Sequence, residues 1–247
     1  MELRPTNDDW DTLGREDPLW AVYVAPGTRG GGWDLGKFLA TGQEEIDRAM
    51  VRVEQLVPGA GRRRALDFGC GVGRLSLALA SHFDHVTGVD ASPAMLDRAR
   101  EMAGDHCTFV LNRSPDLARF ESDSFELAYS SLVLQHLPRA SALGYVHELL
   151  RVTRPDGCVV VQVASRPDWS VKGMAFRFAP PKLIGWAQRR LLGYPAPMLM
   201  TALPDRLVRA AVSSAGATVL AVEADSSYGG HWHYARYYVK PGDHHPA

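Results

Sequence analysis

Short apolar runs alternate along this chain with longer segments whose apolar residues recur every three or four positions. The runs predict strands near 65–68, 85–89, 107–111, 125–130, 158–164, 217–223 and 234–239. The longer segments predict helices near 74–82, 93–103, 139–150 and 204–215. Ahead of them, Phe38, Leu39, Ile46, Met50, Val53 and Leu56 repeat at helical spacing from Leu35 to Leu56, and Pro58-Gly59 ends that helix. Alternation of this kind implies a parallel sheet with crossover helices. The last two strands have no helix between them.

Two stretches break the pattern. Residues 1–35 hold Trp10, Trp20 and Trp33 among Gly, Pro and Asp and read as irregular, aromatic-rich chain with a bend at Gly30-Gly31-Gly32. Residues 165–203 carry Trp169, Met174, Phe176, Phe178, Leu183 and Trp186, with breaks at Pro180-Pro181 and Gly193, and predict one or two amphipathic helices. About forty residues is too long for a plain connection. The natural place for this segment is above the carboxyl ends of the strands, where open α/β sheets bind ligands. The expected organisation is an N-terminal lid segment and helix (1–57), a cofactor-binding core (58–164), a cap (165–203) and the end of the core sheet (204–247).

The chemistry centres on Leu66-Asp67-Phe68-Gly69-Cys70-Gly71-Val72-Gly73-Arg74, a strand, a glycine turn and a helix start. Such a turn lets the backbone meet a ligand. The dinucleotide fingerprint is G-x-G-x-x-G. Here the spacing is G-x-G-x-G, and Arg74 stands where the third glycine would fall. Asp67 inside the strand end repels a pyrophosphate and suits an ammonium or sulfonium. Val86-Thr87-Gly88-Val89-Asp90 follows as a second strand ending in an acid, about 20 residues on, where a ribose-binding carboxylate is expected. Ser92 and Pro93 suit the N-cap and first turn of the next helix.

LDFGCGVGR followed by VTGVDASPAML resembles motif I and its acidic sequel in class I S-adenosylmethionine-dependent methyltransferases. Residues 125–138, ending Gln135-His136-Leu137-Pro138, resemble the family's fourth-strand motif, and residues 148–157 its turn before strand five. These landmarks cover roughly residues 60–165. The resemblance implies a Rossmann-like, doubly wound, seven-stranded α/β sheet with an antiparallel last strand, here with an N-terminal helical lid and a helical cap insertion.

It also implies a cofactor, S-adenosyl-L-methionine, and a set of residues to hold it. Gly69, Gly71 and Gly73 form the turn. Asp67 receives the ammonium, directly or through water, and Asp90 the ribose hydroxyls. Ala91 and Met95 lie by the adenine, Asn112 stands where relatives carry an adenine-reading acid, and the Ser131-Leu132 backbone meets the ammonium. Arg74 and the Thr41-Gly42 turn are candidates for the donor carboxylate. Trp20, Trp33 and Phe38 are candidates for closing over the donor. His136, near the transferred methyl, is a candidate general base with an ordinary histidine pKa. His231 and His233, flanking Trp232 after Gly229-Gly230, are candidates on strand alternation, which places them on one side and Trp232 on the other. No third ligand at evident spacing accompanies them, so a metal is not expected. His244-His245 read as tail.

Bulk properties narrow the acceptor. There are 27 basic and 28 acidic residues, a net charge of −1, so no electrostatic footprint for nucleic acid exists. A small, partly apolar molecule methylated on oxygen or nitrogen is the expected acceptor. Carbon methylation, or a cyclase-like enzyme that binds the donor without transfer, stays open. Cys70, Cys107 and Cys158 match no zinc spacing and read as thiols in a reducing cytoplasm. The start of the sequence lacks the apolar core of a signal peptide, and no run of about 18 apolar residues spans a membrane. The expectation is a cytoplasmic monomer or homodimer with no membrane partner.

Overall fold

Among the described residues, seven strands lie in one sheet in the order β3-β2-β1-β4-β5-β7-β6. The computed structural model describes residues 7–225 and 231–242. The strands are β1 (Arg64–Phe68), β2 (His85–Asp90), β3 (Cys107–Leu111), β4 (Phe125–Ser130), β5 (Thr153–Pro167), β6 (Thr218–Asp225) and β7 (Trp232–Lys240). β1 to β5 run parallel, and β7 lies antiparallel between β5 and β6. β4 is buried at every position, the polar Glu126 and Ser130 included, so its sequence shows no strict apolar–polar alternation.

The helices are α1 (Asn7–Glu16), α2 (Pro18–Val22), α3 (Leu35–Leu56), α4 (Arg74–Leu79), α5 (Pro93–Met102), α6 (Arg139–Val152), α7 (Val171–Phe178), α8 (Pro181–Arg190) and α9 (Asp205–Ser214). α3 and α4 bury Ile46, Met50, Val53, Leu75 and Leu79 against one part of the sheet. α6 and α9 bury Val146, Leu149, Val208 and Val212 in another cluster. A third cluster joins the N-terminal segment to the cap, through Leu13, Trp20, Phe38, Met95, Ala196 and Met198.

Two sequence expectations change. The N-terminal stretch is not irregular: α1 and α2 form there. Asp11 of α1 accepts hydrogen bonds from the Ser92 hydroxyl (3.2 Å) and the Ala94 amide (3.1 Å), so α1 is fastened to the start of α5. Helix termini leave amides unpaired, and a carboxylate there is favoured. The predicted turn before strand five is part of β5 itself. The strand starts at Thr153 and absorbs the extra residues as a register shift, with Phe125 opposite Thr153 and Leu127 opposite Cys158.

The topology also locates a ligand site. The chain proceeds outward from β1 through β2 to β3, then returns to lay β4 beside β1. That reversal opens a crevice beyond the carboxyl ends of β1 and β4, where open α/β sheets bind their ligands.

Candidate active site

A cavity of about 350 Å³ occupies this crevice, within the size range of ligand pockets. Its floor comes from the turns after the strands: Gly69 and Gly71 after β1, Asp90 and Ala91 after β2, Asn112 after β3, Ser131 and Leu132 after β4. Trp10 from α1 and Val22, Tyr23 and Val24 from the end of α2 cover one side. Phe176, Gln188, Met198 and Met200 from the cap segment cover another, and His231, Trp232 and Tyr234 close the β7 end.

The glycine turn needs glycine for two reasons. Gly69 has φ +75°, and a Cβ there would lie 2.2 Å from the Val133 side chain. Gly71 has φ +53°, and a Cβ there would lie 2.6 Å from Val22. The turn nevertheless offers few amides. Gly69 and Cys70 both donate to the Val89 carbonyl (2.7 and 3.0 Å), Gly73 donates to the Cys70 carbonyl (2.9 Å), and Gly71 donates to Asp90 Oδ2 (2.9 Å). What faces the cavity is a carboxylate in place of an anion-binding nest. The Ser92 amide bonds the other oxygen, Asp90 Oδ1, at 2.9 Å. Each oxygen keeps a lone pair for a hydroxyl. Burial raises the Asp90 pKa, against the three backbone amides that lower it.

Several predicted cofactor residues stand elsewhere. Asp67 is 1% exposed and does not line the cavity; it accepts a hydrogen bond from the Ser76 hydroxyl at 2.6 Å. Burial pushes its carboxyl up to about 7, while Ser76 and the Arg74 charge pull it down. A direct contact between Asp67 and a ligand ammonium is therefore corrected: the side chain is sealed beneath the turn. Gly73 likewise faces inward, packed against Ala99 and Phe109.

Arg74 is corrected for a different reason. Its guanidinium is buried, donating to Glu45 Oε2 (2.9 Å) and Thr41 Oγ1 (3.2 Å) and lying 5.0 Å from the Tyr23 ring. Glu45 also accepts from the Tyr129 hydroxyl (3.0 Å) and Arg236 (3.1 Å), and Arg236 reaches Asp225 at 2.7 Å. Two arginines and two carboxylates thus neutralise one another beneath the site, so Arg74 has no role as a carboxylate clamp. Thr41-Gly42 is no turn but the middle of α3, with Gly42 pressed on the Arg74 backbone. Trp20 and Phe38 are core residues, and the aromatics of the N-terminal segment that line the cavity are Trp10 and Tyr23.

Met95, Ala91 and Asn112 line the cavity. The Asn112 side-chain nitrogen donates to the Asp116 carbonyl at 2.9 Å and its oxygen accepts from the Ser114 amide at 3.4 Å, which leaves one N–H and one lone pair for a ligand. Leu132 is in the left-handed region, φ +62°, where a non-glycine residue is strained. Buried Gln162 holds it there by accepting from the Leu132 amide (3.0 Å). Strain of this kind concentrates at ligand sites.

The histidines divide. His136 lines the cavity, edge-on to Trp10 at 4.8 Å. Its Nδ1 bonds the Leu199 carbonyl at 2.9 Å. A carbonyl only accepts, so Nδ1 carries the proton and Nε2 the lone pair. Burial pushes the ring down to about 4, correcting the ordinary pKa expected from sequence: His136 is neutral across the physiological range.

His231 also lines the cavity. Its Nδ1 lies 2.7 Å from Ser170 Oγ, which is 2.5 Å from Asp168 Oδ1 and accepts the Gly173 amide at 3.1 Å. The single Ser170 proton goes to Asp168, so His231 Nδ1 donates and its Nε2 also carries a lone pair. His233 is exposed and lies outside the lining. The reason is register: Trp232 and Tyr234 share the inner face of β7, His233 points the other way, and His231 precedes the strand and escapes its alternation. Gly229, Gly230, His244 and His245 lie outside the described residues.

The sequence reading passed over Gln135, one residue from His136. Gln135 is 1% exposed and lines the cavity, and among the described residues neither its Oε1 nor the Trp232 indole Nε1 has a hydrogen-bond partner. Buried polar atoms are normally paired, so these two await a ligand's polar groups. The motif that pointed to His136 also contained Gln135, but only burial reveals its unmet need.

Comparison with known proteins agrees with this geometry. Residues 65–157 match the methyltransferase domain family. The chain is 35% identical over 133 residues to a demethylmenaquinone methyltransferase of Clavibacter sepedonicus, covering 52% of this chain and 51% of that protein. It spans about half the length of the curated relatives it matches. Magnesium protoporphyrin IX methyltransferase (ChlM) from Synechocystis PCC 6803, solved with bound SAH, aligns with TM-score 0.62 at 19% identity over 94% of this chain and 96% of that one. The [4+2]-cyclase SpnF aligns with TM-score 0.64 at 15% identity over 98% of each chain. Residues 65–157 of this chain thus carry a methyltransferase domain, and the chain has the fold of class I S-adenosylmethionine-dependent methyltransferases.

Proposed function

We propose that this protein transfers a methyl group from S-adenosylmethionine to an oxygen or nitrogen of a small, partly apolar acceptor. The observation that carries this reading is the pairing, in one cavity, of a ribose-ready carboxylate with a set of unmet hydrogen-bonding atoms. Asp90 lines the cavity. His136, His231 and Gln135 in the same lining offer three acceptor atoms, Nε2, Nε2 and Oε1, beside one donor at Trp232. A ligand that satisfies them carries O–H or N–H groups.

The residues fit the donor. Asp90 takes the ribose hydroxyls, Met95 and Ala91 lie against the adenine, and the strained Leu132 segment faces the amino-acid end. Among the described residues no lysine lines the cavity, and its one arginine, Arg113, is exposed and donates to the Ala91 carbonyl at 3.0 Å. Nothing there selects a pyrophosphate, which argues against a nicotinamide dinucleotide. When bound, S-adenosylmethionine supplies an electrophilic methyl on a sulfonium.

The chain's own residues then position the acceptor and take its proton. Trp10, Phe176, Met198, Met200 and Trp232 exclude water around an apolar body. His136 and His231 each present a fixed lone pair, because the Leu199 carbonyl and Ser170 hold the other ring nitrogen. Asp168 and Ser170 are positioning residues for His231. Proximity contributes the larger share of the rate, since the leaving group is already activated.

Methyl-labelled donor incubated with hydroxylated and aminated aromatic acceptors tests this. The expected result is labelled product with equimolar S-adenosylhomocysteine. Product without S-adenosylhomocysteine would instead establish the cyclase-like alternative, and label on carbon the carbon-methylating one. His136→Gln and His231→Gln separate the two proton acceptors: loss of the true base lowers kcat by about 10²- to 10⁴-fold with donor affinity unchanged.

A further inference from the structure

The cap helices that roof the cavity have a second face with nothing on it. Inward, α7 supplies Phe176 to the cavity wall and α8 supplies Gln188. Outward, α7 exposes Val171 (88%) and Phe178 (70%), with Met174 between them at helical spacing. α8 exposes Leu183 and Trp186 (53%), one turn apart, and Trp169 (69%) stands just ahead of α7. Among the described residues, most of the exposed large apolar side chains fall in this one segment. Scattered exposed apolar residues need no explanation, whereas a contiguous group of them does.

The charges of the same segment name the occupant. From Trp169 to Pro204 the sequence has Lys172, Arg177, Lys182, Arg189 and Arg190 and no acidic residue, although the whole chain is nearly neutral. Arg189 is tied to Asp9 of α1, and Arg177 stacks on Trp169 at 4.3 Å. Lys172, Lys182 and Arg190 are exposed and form no ion pair with a described residue. Tryptophan and phenylalanine beside unpaired lysine and arginine, on short amphipathic helices, is the composition of an element lying in a lipid headgroup region.

We propose that the outer face of α7 and α8 docks on an anionic membrane surface, with the apolar side chains entering the acyl boundary and the basic ones meeting lipid phosphates. A spanning helix is not involved: none among the described residues is long and apolar enough. Docking brings the roof of the cavity onto the bilayer, where apolar molecules concentrate. The surface is read from the cap alone and does not depend on methyl transfer.

Sedimentation of the full chain with phosphatidylglycerol-containing vesicles, against vesicles of phosphatidylcholine alone, tests the proposal. The expected result is binding to the first and little to the second, weakened by salt. Lys182→Gln should weaken it about fivefold, and Phe178→Glu or Trp186→Glu should abolish it. Retained affinity for S-adenosylhomocysteine in these variants shows that they fold. Absence of wild-type binding to anionic vesicles overturns the proposal. So does a dimer by light scattering that Trp186→Glu converts to monomer without any vesicle binding, which would assign the face to a second copy.

Discussion

Asp90 ties its role in the fold to the ligand role proposed for it. It holds the Gly71 and Ser92 amides and keeps capacity for two hydroxyls. Asp90→Ala is expected to weaken S-adenosylhomocysteine binding by roughly 100-fold, the worth of a pair of charge-assisted hydrogen bonds, with the sheet intact. Calorimetry checks this, and unchanged affinity would remove Asp90 from the site. His136 carries a pH prediction. Its folded pKa of about 4 lies below the free value, so the neutral form persists far into acid. If it takes the proton, the acidic limb of kcat lies near pH 4, not near 6.5. Asp67 has the opposite sign. Its folded pKa of about 7 lies above the free value of 3.8, so the folded state binds the extra proton between those limits. Its carboxyl costs nothing below about pH 4 and destabilises progressively as pH rises through 7. Asp67→Asn keeps the contact with Ser76 and is expected to raise stability at pH 8 by on the order of 3 kcal/mol. Thermal melts from pH 4 to 8 would show a smaller fall for the variant.

Between elements, the buried set Arg74–Glu45–Arg236–Asp225 ties α4, α3, β7 and β6 together beneath the site. Glu45 answers both arginines. Glu45→Gln leaves buried cations short of a counter-charge and is expected to cost about 3 to 5 kcal/mol, read from denaturant unfolding. None of this was legible in the sequence. Glu45 sits in a helix whose apolar spacing was read correctly, but its partners lie 29 and 191 residues away. Most elements were legible because their signals are local: the Ser92 cap and Pro93 start α5, and the largely apolar, turn-bounded run of β4 marks a strand. α1 was not, because its long-range anchors on α5 and the cap supply the stability that its polar sequence lacks.

Over the whole molecule, the cavity draws its walls from the N-terminal helices, four strand ends, the cap and β7. A ligand there binds only the assembled fold, so it stabilises by mass action. S-adenosylhomocysteine at about 100 times its dissociation constant is expected to add roughly 2.7 kcal/mol, a rise of several degrees in Tm. Differential scanning fluorimetry reads this directly.

By itself the sequence determined the strand and helix order from α3 onward, the parallel part of the sheet, and the turn and acid that follow β1 and β2, while the antiparallel end was implied by the family resemblance. The former follow from hydrophobic period, glycine geometry and spacing, which act over a few residues. Only the tertiary structure decided which polar groups are spent and which are free. It showed Asp67 and Arg74 spent within the fold, His233 turned outward, and Gln135 and Trp232 left without partners. Hydrogen-bond satisfaction and pKa depend on what distant segments bring to the same point, and no local pattern records that.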